Sequence, residues 1–240
     1  MKKILVLLML CLPLALFAQK YRVPDNDSIF TQIHDASSPY YYPTLIGRYM
    51  KGDRSLTTDD YHYLYYGYAF QPGYSPMDPL PGMDNILMVL ELTPEPDSLG
   101  CARIIANGRR VMERDPFNPA ALNLVAYAHT IIGDTVSART NAICVENILR
   151  TIRRSGSGVS ERSPWAILAF SHGEDVVSSL GLQVTSRRVV SRTVEYLDIG
   201  HREGKIKGFF FDYSRVYWNK PETTPEPQIQ GFSINGIKVK

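Results

Sequence analysis

Cysteine is scarce in this chain, with 3 in 240 residues, which excludes a scaffold built on several disulfides. Cys11 lies in an apolar N-terminal segment, so Cys101 and Cys144 remain for the folded chain. In an oxidising compartment this pair could form one disulfide, stabilising the fold by about 3–4 kcal/mol in the chain-entropy model. Both cysteines also lie in apolar helical patterns that are typical of buried free thiols. The sequence leaves these alternatives open, and it predicts no metal site because no histidine stands at ligand spacing from either cysteine.

An excess of charge of one sign is also lacking. Without Lys2 and Lys3 of the N-terminal segment, 24 of the 26 basic residues remain, against 24 acidic residues. A net charge of zero gives no electrostatic basis for binding nucleic acid. The arginine clusters at residues 150–154 and 187–188 are interpreted as solvated charge at a helix end and a strand edge.

Long hydrophobic runs are absent apart from residues 4–17, which follow Lys2 and Lys3. A basic start followed by a short apolar stretch is typical of a secretory signal peptide, and we expect cleavage after Ala18. The run is short for a membrane span, which takes about 20 residues, and no stop-transfer pattern follows it. The sequence therefore predicts a periplasmic or secreted protein with no membrane span after signal cleavage.

Recognised catalytic and cofactor motifs are lacking as well. We find no phosphate-binding glycine loop, zinc-protease helix, dinucleotide fingerprint or nucleophile elbow, and we predict no cofactor and no metal. The weak catalytic candidates are Asp59 and His62, which lie one helical turn apart and could share a face. The alternative for the acidic residue is a role at the start of a helix. His172 stands before Glu174, and we interpret it as a cap of the helix that begins there.

Tyrosine, in contrast, is abundant: 10 of the 15 tyrosines lie between residues 40 and 74. Thr57 and Asp60 predict a capping box at the start of a tyrosine-rich helix. Tyr61, Tyr65 and Tyr68 share one face of that helix, where their rings could bind a peptide or a glycan. The alternative is that the rings are core and the hydroxyl groups bond to the backbone. The sequence leaves both interpretations open.

Helical spacing governs the first two thirds of the chain and gives way to strand patterns after residue 158. We predict a signal peptide over residues 1–18, a helical domain over 19–154, a small α+β unit over 155–218, and a proline-rich tether with a hairpin tail over 219–240. The fold class is thus mostly α, with a small C-terminal α+β unit. The first predicted helix follows the capping residues 25–28. The other predicted helices cover residues 40–50, 57–70, 84–92, 98–114, 120–132 and 136–154. The last two resemble one tetratricopeptide-like helix pair, joined to the preceding helix by Asp-Pro-x-Asn-Pro with Asn118 as N-cap and Pro119 at the first helical position.

The α+β unit begins after a Ser-Gly-Ser-Gly stretch at residues 155–158, which predicts a flexible link and a domain boundary. Apolar runs and turn residues predict the elements of this unit. They are strands over residues 165–170, 188–199 and 205–213 and a helix over residues 174–180. In the tail, Asn235-Gly236 between alternating apolar residues predicts a two-residue hairpin turn.

The tyrosine-rich segment also carries a family resemblance. The stretches Ser-Pro-Tyr-Tyr-Tyr-Pro at residues 38–43 and YHYLYYGYAFQ at residues 61–71 are specific in order and spacing. They resemble an uncharacterised exported bacterial family, domain of unknown function 4919, and the similarity covers roughly residues 29–217. Family members often have Glu-Thr-Ala where this chain has Arg-Ser-Pro at residues 162–164. The resemblance implies no activity, cofactor or catalytic residue.

Three hypotheses for function follow from these patterns. The leading one is an exported binding or accessory module whose partner is a protein, a peptide or a glycan. The second is an envelope hydrolase with an unrecognised site near Asp59 and His62. The third is a purely structural component of the envelope. The sequence gives no indication of the oligomeric state.

Overall fold

Of the first three helices, the first and the third begin at a side-chain cap, and the second begins without one. The computed structural model describes residues 21–203 and 206–217, together with two short strands in the tail. Helix α1 spans Asn26–His34, α2 spans Tyr42–Met50 and α3 spans Thr58–Tyr68. The Thr57 hydroxyl accepts a hydrogen bond from the Asp60 N–H, and the Asp60 carboxylate accepts one from the Thr57 N–H. The predicted capping box is therefore confirmed.

Four longer helices follow, and each packs against the next. They are α4 (Pro81–Leu92), α5 (Ser98–Arg114), α6 (Pro119–Ile131) and α7 (Thr135–Arg154). The Asn118 side chain caps α6 by accepting from the Ala121 N–H at 2.9 Å, and Pro119 takes the first helical position, as predicted.

The close approach of α5 to α6 depends on Gly108. A Cβ atom built on this residue would lie 2.2 Å from Cγ2 of Val125, which is far inside van der Waals contact. Because Val125 is branched at Cβ, its methyl group has little freedom to move aside. The missing side chain at this position therefore sets the distance between the two helices.

The C-terminal unit is a four-stranded sheet with one helix. Strand β1 spans Trp165–Ala166, α8 spans Phe170–Ser179, β2 spans Val184–Val189, β3 spans Val194–Glu203 and β4 spans Ile206–Asp212. The strand order is β1-β4-β3-β2, with β1 parallel to β4 and the other pairs antiparallel. This arrangement confirms a small C-terminal α+β unit after a helical region.

Three predicted boundaries in this unit are wrong. The strand predicted over residues 165–170 ends at Ala166, and the helix predicted from Glu174 begins at Phe170. Short apolar runs do not distinguish a buried strand from a buried helix, which explains both errors. The strand predicted over residues 188–199 is the end of β2, a turn and β3, because the N–H groups of Val190 and Ser191 both donate to the Val194 carbonyl.

One hydrophobic cluster runs from the N-terminal helices to the sheet. It includes Leu45 of α2, Leu64 of α3, Ile148 of α7 and Phe211 of β4, each 0% exposed. A second, smaller cluster lies among α4, α5 and α6 and includes Ile86. The larger cluster joins the helical region to the α+β unit.

Residues 155–158, predicted as a flexible link, are bonded to the start of the sheet. The Ser155 hydroxyl accepts from the Ala166 N–H at 2.7 Å, and the Trp165 indole N–H donates to the Gly156 carbonyl at 3.0 Å. Gly158 has a positive φ of 69°, and a Cβ there would lie 2.4 Å from the Trp165 ring. Glycine at this position thus allows the indole to pack on the backbone.

The tail contains strands β5 (Ser233–Ile234) and β6 (Ile237–Lys238), which pair antiparallel. The pairing of Ile234 with Ile237 agrees with the predicted hairpin. The rest of the predicted tether and tail, the signal peptide and its cleavage site lie outside the described residues. In the portion of the chain that the structure describes, no helix is both long and apolar enough to cross a membrane.

Candidate ligand-binding groove

A groove opens between the turn after α2 and the helices α5, α6 and α7. Its volume is about 710 Å³, which lies within the range of about 300–1,000 Å³ that is common for ligand sites. Side chains from four separate stretches of the chain line it. The groove is the strongest candidate site among the described residues, because it combines this volume with an apolar floor and a charged rim.

The floor of the groove is apolar. Leu122 and Val125 lie one turn apart on α6 and are 3% and 2% exposed, and half-buried Met112 of α5 lies beside them. Cys144 of α7 completes the floor, and its sulfur accepts a hydrogen bond from the Tyr61 hydroxyl at 3.6 Å. Burial raises the pKa of the Cys144 thiol, so this group stays uncharged at neutral pH. Such a surface can receive the apolar part of a ligand.

The rim is cationic. Lys51, Arg54 and Arg109 line it as exposed side chains, whereas Glu113 is the one acidic side chain among the described lining residues. The Arg54 guanidinium donates to the Thr140 hydroxyl at 3.1 Å and to the Val136 carbonyl at 3.3 Å. These bonds hold one cation in place beside the opening.

The turn that carries Lys51 and Arg54 is fixed by local bonding. Gly52 has a positive φ of 69° and lies close to α7, where a Cβ would be 2.9 Å from Cγ2 of Thr140. The next residue, Asp53, accepts from the Ser55 hydroxyl and N–H and from Arg48, and these bonds lower the pKa of its carboxyl to about 2. Asp53 is therefore ionised at neutral pH and stabilises the turn that presents the cations.

At the edge of the groove, the side chain of His129 of α6 is 12% exposed, and its Nδ1 lies 3.1 Å from an oxygen of Asp134. Lys51, Arg54 and Arg109 make this wall suited to an anionic group. The chemistry that the groove can perform is recognition of a ligand with an apolar part next to a negative charge.

The three tyrosines predicted as a binding surface lie in the core. Tyr61, Tyr65 and Tyr68 are 2%, 0% and 8% exposed. Their hydroxyl groups bond to the sulfur of Cys144, to the His172 ring, and to the carbonyls of Gly73 and Arg114 respectively. A ligand could reach these rings only if the core opened, so no binding surface is built on them here.

Asp59 and His62, the weak catalytic candidates, lie in different environments. The Asp59 carboxylate forms an ion pair with Arg22, whereas His62 is 6% exposed and its ring packs edge-on against Tyr66 at 5.1 Å. Burial, followed by the nearby charges of Arg22, Arg215 and Arg154, lowers the pKa of His62 to about 3, so the ring is neutral at physiological pH. Over the described residues, no group of three or more His, Cys, Asp and Glu side chains is placed to hold a metal ion.

A buried network of hydrogen bonds surrounds His172, and the sequence did not predict it. The Leu168 N–H donates to the Tyr65 hydroxyl at 3.2 Å, and that hydroxyl lies 2.7 Å from Nδ1 of His172. The Nε2 of the same ring lies 3.2 Å from the Asp115 carboxylate. Burial lowers the pKa of His172, but the charge of Asp115, its hydrogen bond and the charge of Asp175 together outweigh burial and raise this pKa. Burial raises the pKa of Asp115, but His172 and the donors of Asn118 and Phe117 together lower it.

This network of hydrogen bonds connects α3, the turn before α6, and α8. The interpretation of His172 as a cap for a helix at Glu174 is wrong, because α8 begins at Phe170 and includes His172. Its partner Asp115 is 57 residues away in sequence, and no local pattern signals such a pair. With His172 1% and Tyr65 0% exposed, these groups are inaccessible to a substrate.

Asp175, also on α8, lies next to this network. Burial raises the pKa of its carboxyl to about 6, against the lowering effect of His172. One oxygen, Oδ2, is buried and has no hydrogen-bond partner among the described residues. The charged form of Asp175 is therefore poorly accommodated.

The two cysteines are free thiols in separate parts of the core. Cys101 lies in the smaller cluster and donates to the Pro96 carbonyl at 3.6 Å, whereas Cys144 lies in the larger cluster. The sequence left open a disulfide or two buried free thiols, and the structure has the buried free thiols.

These features define a helical protein with an appended four-stranded sheet and a groove with an apolar floor and a cationic rim. The family model described as Domain of unknown function (DUF4919) matches residues 27–221, so the chain belongs to this family. That match confirms the resemblance seen in the tyrosine-rich segment. A search of curated proteins gave no match. A search of solved structures gave none either.

Proposed function

We propose that this protein is an exported, periplasmic or secreted binding module that receives a ligand in the groove between the α2 turn and helices α5, α6 and α7. The observation that carries the proposal is the placement of Lys51, Arg54 and Arg109 around an apolar floor. The ligand is a peptide segment with an acidic residue next to an apolar one, since such a segment matches both the floor and the rim.

The arrangement of the helices supports this proposal. Each of the helices α4 to α7 packs against the next, and we propose a tetratricopeptide-like stacking, which presents extended surfaces to peptides. The groove lies along α6 and α7, and the turn after α2 closes one side of it. Hydrogen bonds within that turn hold the rim in place before a ligand arrives, which reduces the entropic cost of binding.

The environments of Asp59 and His62 favour a binding module over a hydrolase. A general base works best when its pKa lies near the operating pH, whereas the His62 ring has a pKa of about 3. The Asp59 carboxylate is engaged by Arg22. Neither residue lines the groove.

Charge reversal at the rim tests the proposal. The probes are the labelled pentapeptide Leu-Glu-Ala-Asp-Leu and its basic counterpart Leu-Lys-Ala-Lys-Leu, titrated by fluorescence anisotropy into the chain without its predicted signal peptide. We expect the acidic peptide to bind more tightly, and the double variant Arg54→Glu, Arg109→Glu to weaken its binding by about tenfold or more, because both cations then repel it.

The matched control is Arg103→Glu, Arg139→Glu, which makes the same change of charge at exposed residues outside the groove. It should alter the affinity by no more than about twofold at physiological salt, where distant charges are screened. Equal loss in both double variants, or tighter binding of the basic peptide, would contradict the proposal. Circular dichroism verifies that each variant remains folded.

A further inference from the structure

The stack of helices ends at α4 with an exposed apolar face. Ile86 of α4 is buried against α5, whereas Leu87, Met88 and Leu92 are 53%, 55% and 78% exposed. Residues 84, 87, 88, 91 and 92 are exposed and are linked by spacings of three or four positions, so they form one stripe along the helix, in which three side chains are apolar. Terminal repeats of stacked helical proteins normally present a polar outer face. The outer face of α4 departs from that rule, which is typical of an interaction surface.

The surroundings of this stripe are acidic. Residues 77–102 contain no lysine, arginine or histidine, and they contain five acidic residues. Asp78 is engaged by Arg114 at 3.1 Å, which leaves Asp84 and Glu91 within the stripe and Glu95 and Asp97 just after it. A partner must therefore bring apolar side chains together with positive charge.

The acidic residues also argue against a second copy of this chain, or a membrane, as the partner that covers the α4 face. In an antiparallel two-fold contact centred on Leu87 and Met88, Asp84 of one copy would face Glu91 of the other, and like charges at such a distance repel. A membrane surface rich in anionic lipid would be repelled for the same reason. A cationic helix meets neither obstacle.

We propose that the α4 face, formed by Leu87, Met88 and Leu92 with Asp84 and Glu91 among them, binds a basic amphipathic helix of a partner protein. Such a helix extends the stack by one element, burying its apolar side against the stripe. Its lysines or arginines then lie next to Asp84 and Glu91. This site is separate from the groove, so the two proposals can fail independently.

The test uses a synthetic peptide of about 18 residues with leucine at helical spacing and lysine elsewhere. Two comparison peptides have glutamate in place of lysine, or two central prolines that prevent a helix. Anisotropy should show binding of the leucine–lysine helix at concentrations below roughly 100 µM and about tenfold weaker binding of both comparison peptides.

Two variants locate the binding on α4. Leu87→Ser with Leu92→Ser should weaken binding of the leucine–lysine peptide by about tenfold, and because both side chains are exposed the fold should be unaffected. Asp84→Lys with Glu91→Lys should reverse the preference toward the leucine–glutamate peptide. The double variant Val159→Ser, Val189→Ser, at exposed apolar residues outside both α4 and the groove, serves as the control and should bind as the unmodified chain does.

Several outcomes would overturn this proposal. One is unchanged binding in the Leu87→Ser, Leu92→Ser variant, and another is equal binding of the proline peptide. Sedimentation gives the third: a dimer of the unmodified chain that is lost in the same variant would assign the α4 face to a second copy instead. No detectable binding of the leucine–lysine helix up to roughly 100 µM would also reject it.

Discussion

At the scale of single residues, the buried network around His172 is the clearest case of side chains serving the fold. Asp115, His172 and Tyr65 have their polar atoms paired with each other or with the backbone. Asp175 differs, because one of its oxygens lacks a partner in the described structure and its carboxyl has a pKa of about 6. A carboxyl that is easier to protonate in the folded than in the unfolded state lowers the stability as the pH rises from its unfolded pKa to its folded pKa.

The substitution Asp175→Asn tests how much stability is lost when the Asp175 carboxyl is ionised. The folded pKa of Asp175, about 6, lies above the ordinary value of 3.8, so its contribution favours folding below pH 4 and is lost as the pH rises to about 6. The variant should therefore gain stability at pH 7.5, on the order of 2–3 kcal/mol, and gain little at pH 4. Urea unfolding at the two pH values measures both. An equal effect at the two pH values would show that ionisation of Asp175 is not the cause.

At the scale of elements, glycine positions decide how closely helices approach. An alanine is normally the better helix residue by about 0.8–1 kcal/mol. At Gly108, however, the new methyl group would lie 2.2 Å from Val125. The backbone or Val125 must then shift, and overpacking of this kind costs about 1–3 kcal/mol.

Gly108→Ala should accordingly lower the free energy of unfolding despite the higher helix propensity of alanine. Adding Val125→Ala should make Gly108→Ala less costly than it is alone, because the clashing methyl group is gone. Gly47→Ala in α2 is the matched control: nothing lies within 4 Å of its Cβ position, so it should stabilise by up to about 1 kcal/mol. Thermal unfolding of the unmodified chain, Gly108→Ala, Val125→Ala, the double variant and Gly47→Ala measures these effects. Destabilisation by Gly47→Ala as well as by Gly108→Ala would refute the packing argument.

The elements were predictable to the extent that their signals are local. The capping box at Thr57 and the Asn118-Pro119 start of α6 follow from short-range bonds, and both predictions are confirmed. The turn between β2 and β3 was missed because its residues carry no glycine or proline. The helical start at Phe170 was missed because Ala169, its N-cap residue, offers no side-chain hydrogen bond.

The candidate groove was not predictable in the same way. Lys51, Arg109 and Cys144 come from separate stretches of the chain, and only the packing of α2, α5 and α7 brings them together. Spacing along a single helix pointed to Tyr61, Tyr65 and Tyr68, since a helix with tyrosine on several sides gives no indication of which side is covered. In the structure α3 is covered on all sides, because every residue from Asp60 to Tyr68 is buried.

At the scale of the whole molecule, two candidate recognition surfaces differ in charge. The groove presents Lys51, Arg54 and Arg109, and the α4 face presents Asp84 and Glu91 beside exposed leucines. The chain without its predicted signal peptide has no net charge, so this separation is not visible in its composition. Opposite local charges on one molecule would let it bind an acidic segment and a basic helix at the same time.

The most direct test of the central claim is a methyl NMR titration of the chain without its predicted signal peptide, labelled at Met, Leu and Val, with the acidic peptide Leu-Glu-Ala-Asp-Leu. The account predicts shifts of the methyl signals of Met112, Leu122 and Val125 in the groove floor, while those of Leu87 and Met88 stay unchanged. Shifts confined to the α4 methyl groups, or no shift at saturating peptide, would contradict the assignment of the groove as the ligand site.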